Sequence, residues 1–447
     1  MEAIHKKYQD SSKNLSAYRT KKLKLDKNFE FCDVKDLDSY CRDFSDQHLL
    51  VELFSGAGGL SLGLEKAGFR NVLAVDKLQD SVETHACHFP GASINCDISD
   101  EKTLEELVEP LRNHQISLLA GGPPCQPFSK PLRWARNKDK MELGSLKDHR
   151  RELWQSFVYG VKLLKPLSVL LENVSDIATN EDGIILRNIL ESLENLGYSC
   201  DVQAFHAFDF GVPQTRLRLF LVAVHNEIST IIWPKKSVHK PTLREAISDL
   251  PRIKGGWDEK TGKYQGPLTD LQKRLRSGMS DGEEFNVSDH VTRRVREDDL
   301  EAFRLLKAGQ KYSELPEENR RYSIKSFTDK YNRLKWDEPC RTITAHMSRD
   351  GYWYIHPEQD RTLSIREAAR VQSFPDWFRF AGFRSSAFYQ IGEAVAPFVA
   401  EEIGKSIISM LGKKKTVTRA LLGSPPENRI RKKKILCEWM KEEGRFN

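Results

Sequence analysis

The sequence has no Cys-x-x-Cys pair, and its eight cysteines, at positions 32, 41, 87, 96, 125, 200, 340 and 437, are scattered over 447 residues. Its histidines form no group at zinc-ligand spacing. These absences argue against a zinc module and a disulfide-stapled scaffold, and for reduced thiols in a cytoplasmic setting. No apolar run approaches the length of a membrane span, and the opening stretch MEAIHKKYQDSSKNL carries no apolar signal core. A soluble intracellular protein with no membrane partner and no metal is expected. No internal repeat is evident. Neither charge sign dominates: Lys plus Arg number 70 against 64 Asp plus Glu, a net charge of +6 with a pI near 8.7. That mild basic excess suits a polyanionic partner without requiring one.

What the chain does have is length and rhythm. It exceeds one ordinary hydrophobic core, so two domains with appended segments are expected. Residues 1–48 are polar and mixed in charge and read as an extension, helical in part. From there the apolar runs LLVELF (49–54), VLAVD (72–76), ISLLA (116–120), LSVLLE (167–172) and LRLFLVAV (217–224) alternate with helical stretches such as LSLGLEKAGF and RNILESLENLGY. This predicts an α/β domain over 49–225, its mostly parallel sheet covered on both faces, with ligands bound beyond the carboxyl ends of the strands. After residue 225 the chain turns rich in Gly, Pro and Lys, as in WPKKSVHKPTLREAISDLPRIKGG, and 226–387 reads as a second, smaller, irregular domain. FYQIGEAVAPFVAEEIGKSIISML carries one long amphipathic pattern, placing a C-terminal helix in 388–412, and 413–447 is a basic tail with KKK and RIRKKK.

The first strand runs into ELFSGAGGLSLGLEKAGF, whose glycines 56, 58 and 59 permit a tight strand-to-helix turn and close approach of a ligand. About twenty residues on stands Asp76, at the distance where dinucleotide-type folds hold ribose hydroxyls. An adenosine-containing ligand is implied, although the spacing departs from GxGxxG and a tight turn alone would look the same. Phe54 either stacks on an adenine or fills core. Asp97, in INCDIS, either accepts a hydrogen bond from an exocyclic amine or caps a helix.

Residues 121–129, GGPPCQPFS, set a cysteine behind two prolines, a stiff turn that presents Cys125 rather than burying it. A thiol at its ordinary pKa is mostly protonated at neutral pH, so a nucleophilic role needs nearby cations or a helix N-terminus. LLENVSD places Glu172 and Asn173 at the end of a strand so apolar that an unpaired carboxylate there is costly. In GVPQTRLRLFLVA, Gln214, Arg216 and Arg218 alternate at strand spacing, so both guanidinium groups share a face. A thiol, an acid and an arginine pair suit a planar, electron-poor ring; singly, each also fits a buried cysteine, a strand-end acid or a surface pair.

Taken in order, ELFSGAGGLSLGLEKAGF, CDI, GGPPCQPFS, ENV, QTRLR, REAARVQSFPDWF and QIGEAVAP resemble the motifs of DNA (cytosine-5)-methyltransferases of the bacterial restriction-modification type. The resemblance covers residues 49–412. It implies a Rossmann-like S-adenosylmethionine-dependent methyltransferase domain over 49–225, a target-recognition domain over 226–387 and a last helix that folds back onto the first domain. It implies S-adenosylmethionine as cofactor: Phe54 on the adenine, Asp76 on the ribose, Asp97 and Ile98 at the adenine edge, and Gly56, Gly58 and Gly59 along the methionine part. Ser55, Leu60, Pro123, Ala394 and Val395 complete the cofactor contacts. Cys125 is implied to attack C6 of a cytosine extruded from duplex DNA. Glu172 meets N3 and the exocyclic amine, Arg218 the O2 and Arg216 the adjacent site, while Gln126, Ser129, Asn173 and Gln214 touch substrate. Making C5 a carbon nucleophile requires covalent addition, hence a thiol where enzymes acting on exocyclic nitrogens carry an aromatic ring.

Double-stranded DNA is the implied partner, with a cognate restriction endonuclease as a functional one and the bacterial nucleoid as the working place. KPLRWARNKDKMELGSLK fits the family's mobile loop over DNA, and RVQSFPDWF resembles a helix packing the two domains together. The chain departs from the family pattern at Glu393, where asparagine is usual, at an extra alanine before Pro397, and at Lys77, where an aromatic residue is common. The alternatives are an RNA cytosine-5 methyltransferase, disfavoured by the large recognition region and by SDI after ENV; a catalytically silent DNA-binding relative; and a nucleotide-dependent oxidoreductase, which has no use for the Cys-Glu-Arg set.

Overall fold

The computed structural model describes residues 22–23, 25, 32–124, 153–179, 183–226, 228, 231–256, 262–279, 287–320 and 330–412. Cys125, Gln126, Ser129, the expected loop over 130–147 and the tail over 413–447 lie outside the described residues.

A seven-stranded sheet forms the centre: β1 (His48–Leu53), β2 (Phe69–Asp76), β3 (Ala92–Asn95), β4 (Leu118–Gly121), β5 (Ser168–Val174), β6 (Tyr198–His206) and β7 (Leu217–His225). Their lateral order is β3-β2-β1-β4-β5-β7-β6. β7 runs antiparallel to both neighbours, whereas the other adjacent pairs are parallel. The period of two explains how each run fills both faces. In β7, Leu219, Leu221 and Ala223 join one core cluster, and Phe220, Val222 and Val224 join the other. With both faces dry, alternation disappears from the sequence and the strands read as unbroken apolar runs.

One face carries helices Leu37–Asp43, Glu101–Val108, Leu153–Leu164 and Ile184–Asn195; the other carries Gly59–Ala67 and Pro397–Leu411. All five expected runs are strands; β3 and β6 add to them. Residues 1–48 are not wholly an appendage: Leu37 and Cys41 are fully buried in the core beneath the sheet. The long pattern near the C-terminus also divides. Helix Arg384–Glu393 ends before an extended Ala394–Ala396 link, and Pro397, which lacks an N–H, opens the next helix in its first turn, where that N–H would have no partner.

The Pro397–Leu411 helix lies close against Gly59–Ala67. A Cβ added at Gly63 would stand 2.2 Å from Pro397 O and 2.5 Å from Ala400 Cβ, and one at Gly59 would stand 2.4 Å from Val395 O. Gly63→Ala should therefore force the helices apart and cost about 1–3 kcal/mol, read as a lower urea midpoint. An unchanged midpoint would contradict so close an approach.

A second core joins helix Leu243–Ile247, helix Ile365–Val371, Phe374, Phe378, Phe388 and Ile391 to Ala57, Leu62 and Phe89 of the first region. Helix Ile365–Val371 is capped reciprocally by Ser364 and Glu367, and the QSFPDWF expected to extend it forms a turn instead, with Ser373 left-handed at φ 67°. Arg370 is fully buried. Its guanidinium bonds both carboxylate oxygens of Asp249, both of Asp376 (2.8 and 2.6 Å) and Ala246 O (2.8 Å). Among the described residues no helix is long and apolar enough to cross a membrane, and no group of three or more His, Cys, Asp or Glu side chains could hold a metal ion.

Candidate active site

The carboxyl ends of β1 and β2 form one half of the site. β1 passes into Phe54, which takes a left-handed φ of 60°, and Ser55 N donates to Val75 O at 3.0 Å, fastening the turn to β2. Asp76 Oδ2 accepts from Gly56 N and Oδ1 from Leu78 N, each at 2.8 Å. The acid twenty residues downstream thus clamps the glycine turn. Burial raises the Asp76 carboxyl above its ordinary pKa against the pull of the Leu78, Gly56 and Lys77 amides. Gly58 is left-handed at φ 91°, and a Cβ there would sit 2.5 Å from the Phe89 ring, so this position accepts only glycine. At Gly56 the added atom would meet nothing within 4 Å. A carboxylate with lone pairs to spare beside an open backbone turn fits the ribose and polar tail of S-adenosylmethionine.

The neighbouring acid behaves differently. Asp97 forms an ion pair with the Lys77 ammonium and accepts from Ser99 N at 3.1 Å. The Lys77 hydrogen bond, first among several causes, holds its carboxyl below the usual range. It caps no helix; Asp100 does, accepting from Thr103 N at 2.9 Å. Ser55, Leu60 and Ile98 are buried, whereas Phe54 is half-buried against the sheet core. Behind the turn lies a polar chain that sequence reasoning did not find. Buried Glu52 bonds Ser61 Oγ, which lies 2.9 Å from His85 Nε2, and burial pushes the Glu52 carboxyl up to about 8.

The other half of the site is built at the ends of β4, β5 and β7. Asn173 Nδ2 donates to Pro123 O at 3.1 Å, so ENV grips GGPP directly. A Cβ on Gly122 would lie 3.3 Å from Glu172 Oε2. Antiparallel pairing sets Val174 opposite Arg218 and Glu172 opposite Phe220, which makes Glu172 and Arg218 diagonal neighbours. Arg218 Nε stands 3.1 Å from Glu172 Oε1 but off the hydrogen-bond line, so that buried oxygen receives no hydrogen bond in the structure described.

Arg216 is 3% exposed and donates through Nη1 to Ile343 O (2.8 Å) and Gly392 O (3.1 Å). Loss of hydration first, then Arg218, lowers its pKa to about 9, opposed by Glu172 and Glu393; it remains a cation at neutral pH. Glu172, Arg216 and Arg218 line one cleft that opens to solvent. Its apolar wall comes from Phe205, Ala207, Phe220, Val395, Ala396 and Val399, of which only Val395 was singled out in the sequence. The others look like ordinary core residues and carry no signal of their own. Ala394 is buried beside Gly59. Gln214, expected at the substrate, is fully buried: its amide donates to Val371 O and Gln372 Oε1 and accepts from Ile343 N, leaving it a strut between the two cores.

A glycine turn clamped by Asp76 and a cleft with a carboxylate and two guanidinium groups thus stand at the carboxyl ends of the strands, the latter beside the start of PPCQ. Residues 49–409 match the profile of C-5 cytosine-specific DNA methylases. The chain belongs to that family. This methylase is accordingly a DNA cytosine-5 methyltransferase with a Rossmann-like fold, and its methyl donor is S-adenosylmethionine. The methylase is 31% identical over 384 residues to type II methyltransferase M.DdeI of Desulfomicrobium norvegicum, covering 80% of this chain and 88% of that protein. It is 30% identical over 421 residues to type II methyltransferase M.Eco47II of Escherichia coli, covering 91% and 89%. A crystal structure of a prophage-encoded DNA modification methyltransferase from Escherichia coli superposes with a TM-score of 0.65 at 27% identity, covering 82% of the methylase and 99% of that chain.

Proposed function

We propose that Glu172, Arg216 and Arg218 receive a cytosine swung out of duplex DNA while Cys125 adds to its C6. The observation that carries this reading is the shared cleft of one acid and two cations beside a Pro123 carbonyl held by Asn173. Cys125 follows Pro123 by two residues in the sequence, a contour of at most about 7 Å. The two guanidinium groups favour the thiolate and stabilise negative charge spreading onto the ring oxygen. Glu172 meets the N3 and amine edge: its unbonded Oε1 accepts from the exocyclic amine, and a proton shared between its other oxygen and N3 draws charge toward the ring nitrogen and makes C5 nucleophilic. S-adenosylmethionine, when bound, supplies an electrophilic methyl group; Asp76 holds its ribose, the Gly56–Gly59 turn its methionine part, and Phe54, Asp97 and Ile98 its adenine. Lys77 must yield Asp97, or take its place, for the adenine edge to be met.

In this reading residues 49–225 with 388–412 perform the chemistry, and 226–387 read the DNA through base-edge and phosphate contacts. The names of the type II relatives support a further assignment: a modification enzyme acting on nucleoid DNA in the bacterial cytoplasm, with a cognate endonuclease as functional partner.

The test is transfer of labelled methyl groups to duplex DNA. Label should appear at cytosine C5 and vanish, by at least about 1000-fold, in Cys125→Ser. Label confined to RNA, or surviving the substitution, would overturn the reading.

A further inference from the structure

After methylation C5 of the cytosine carries both the new methyl group and its original hydrogen, and C6 carries the Cys125 sulfur. A base must remove that hydrogen as a proton before product can form. Resting on the cleft assignment above, we infer that Glu393 is this base.

Glu393 is the last residue of helix Arg384–Glu393, and the chain on either side of it is pinned. Gly392 O accepts from Arg216 Nη1 at 3.1 Å, while Ala394 O accepts from Gln372 Nε2. Gly392 also abuts Ala345, and Val395 O meets Gly59. Residue 393 is thus fixed where the guanidinium cleft and the glycine turn adjoin. The charges that reach its carboxylate say the same: Arg216, Arg218 and Glu172 from the pyrimidine end, and Asp76 from the cofactor end. Methyl transfer takes place between those two ends. The side chain is nonetheless exposed, so it faces an opening from which a proton can pass to water.

The step balances. The C5–H bond breaks and its proton goes to a Glu393 carboxylate oxygen. The electron pair forms the C5=C6 double bond, and the C6–S bond breaks with its pair leaving on Cys125 as thiolate. Glu393 then passes the proton to solvent.

Glu393→Gln keeps shape and removes basicity. With donor and ordinary duplex DNA, the variant should accumulate a denaturation-resistant protein–DNA adduct that the parent protein resolves. Without donor, release of tritium from C5 of labelled DNA into water should fall by at least about 100-fold. Glu393→Ala, which removes the carboxylate altogether, should behave like Glu393→Gln. Fluorinated cytosine, whose C5 substituent cannot leave, should trap the parent and both variants alike. Product formed at the parent rate, or a weaker apparent donor affinity with no adduct, would overturn the assignment, as would a trap lost only in the variants. A trap absent from the parent as well would instead sink the covalent reading itself, and this inference with it.

Discussion

Glu172→Gln should lower single-turnover methylation by about 100- to 1000-fold, and should destabilise the fold by about 3 kcal/mol. The two losses have one origin. Glu172 is 8% exposed and shares its cleft with two cations, of which Arg218 lies 3.1 Å away and Arg216 is buried. Neutralising the acid leaves two guanidinium groups in a poorly hydrated space, with Glu393 the carboxylate that still acts on Arg216 among the described residues. Removing one partner of a buried pair is far more damaging than removing both. The double variant Glu172→Gln with Arg218→Met should accordingly recover most of the stability in urea unfolding and none of the activity. A single variant as stable and as active as the parent would show that the cleft does not depend on this charge.

Arg370→Ala should be the most destabilising single change in the second core, by about 3–5 kcal/mol. Asp249 and Asp376 are both buried against this guanidinium. Without it, Asp249 retains Arg276, while Asp376 keeps Tyr264 and a more distant Arg366 at 3.9 Å. Two carboxylates would face each other in an interior that cannot hydrate them. Replacing all three by neutral groups of similar size, Arg370→Met with Asp249→Asn and Asp376→Asn, should restore much of the loss. A fall in the urea midpoint equivalent to less than about 1 kcal/mol for Arg370→Ala would refute the central role given to this network.

The sheet was legible wherever burial on both faces leaves a continuous apolar run, which is why β1, β2, β4, β5 and β7 stand out. β6, YSCDVQAFH, does not: it is an edge strand that mixes half-buried polar positions with apolar ones. The reversed direction of β7 was invisible because an apolar run reads the same either way. Arg366 and Arg370 look like the wet stripe of an amphipathic helix; they are buried because their acids, Asp289, Asp249 and Asp376, come from separate parts of the chain. In the site, Asp76 announced itself by its distance from a glycine turn, and it does clamp that turn. For Gln214, strand alternation fixes which side the residue faces but not whether that side holds ligand or protein, and its amide meets Val371, Gln372 and Ile343. The apolar wall of the cleft stayed hidden because Phe205 and Phe220 are chemically indistinguishable from core.

The close packing of Pro397–Leu411 on Gly59–Ala67 also bears on how the protein is made. A ribosome delivers the glycine turn early and the helix that backs it more than three hundred residues later. Every shorter nascent chain lacks Val395, Ala396 and Val399 beside the two arginines. The cleft therefore waits for this segment to be made, and a premature stop ahead of Val395 leaves it without one wall.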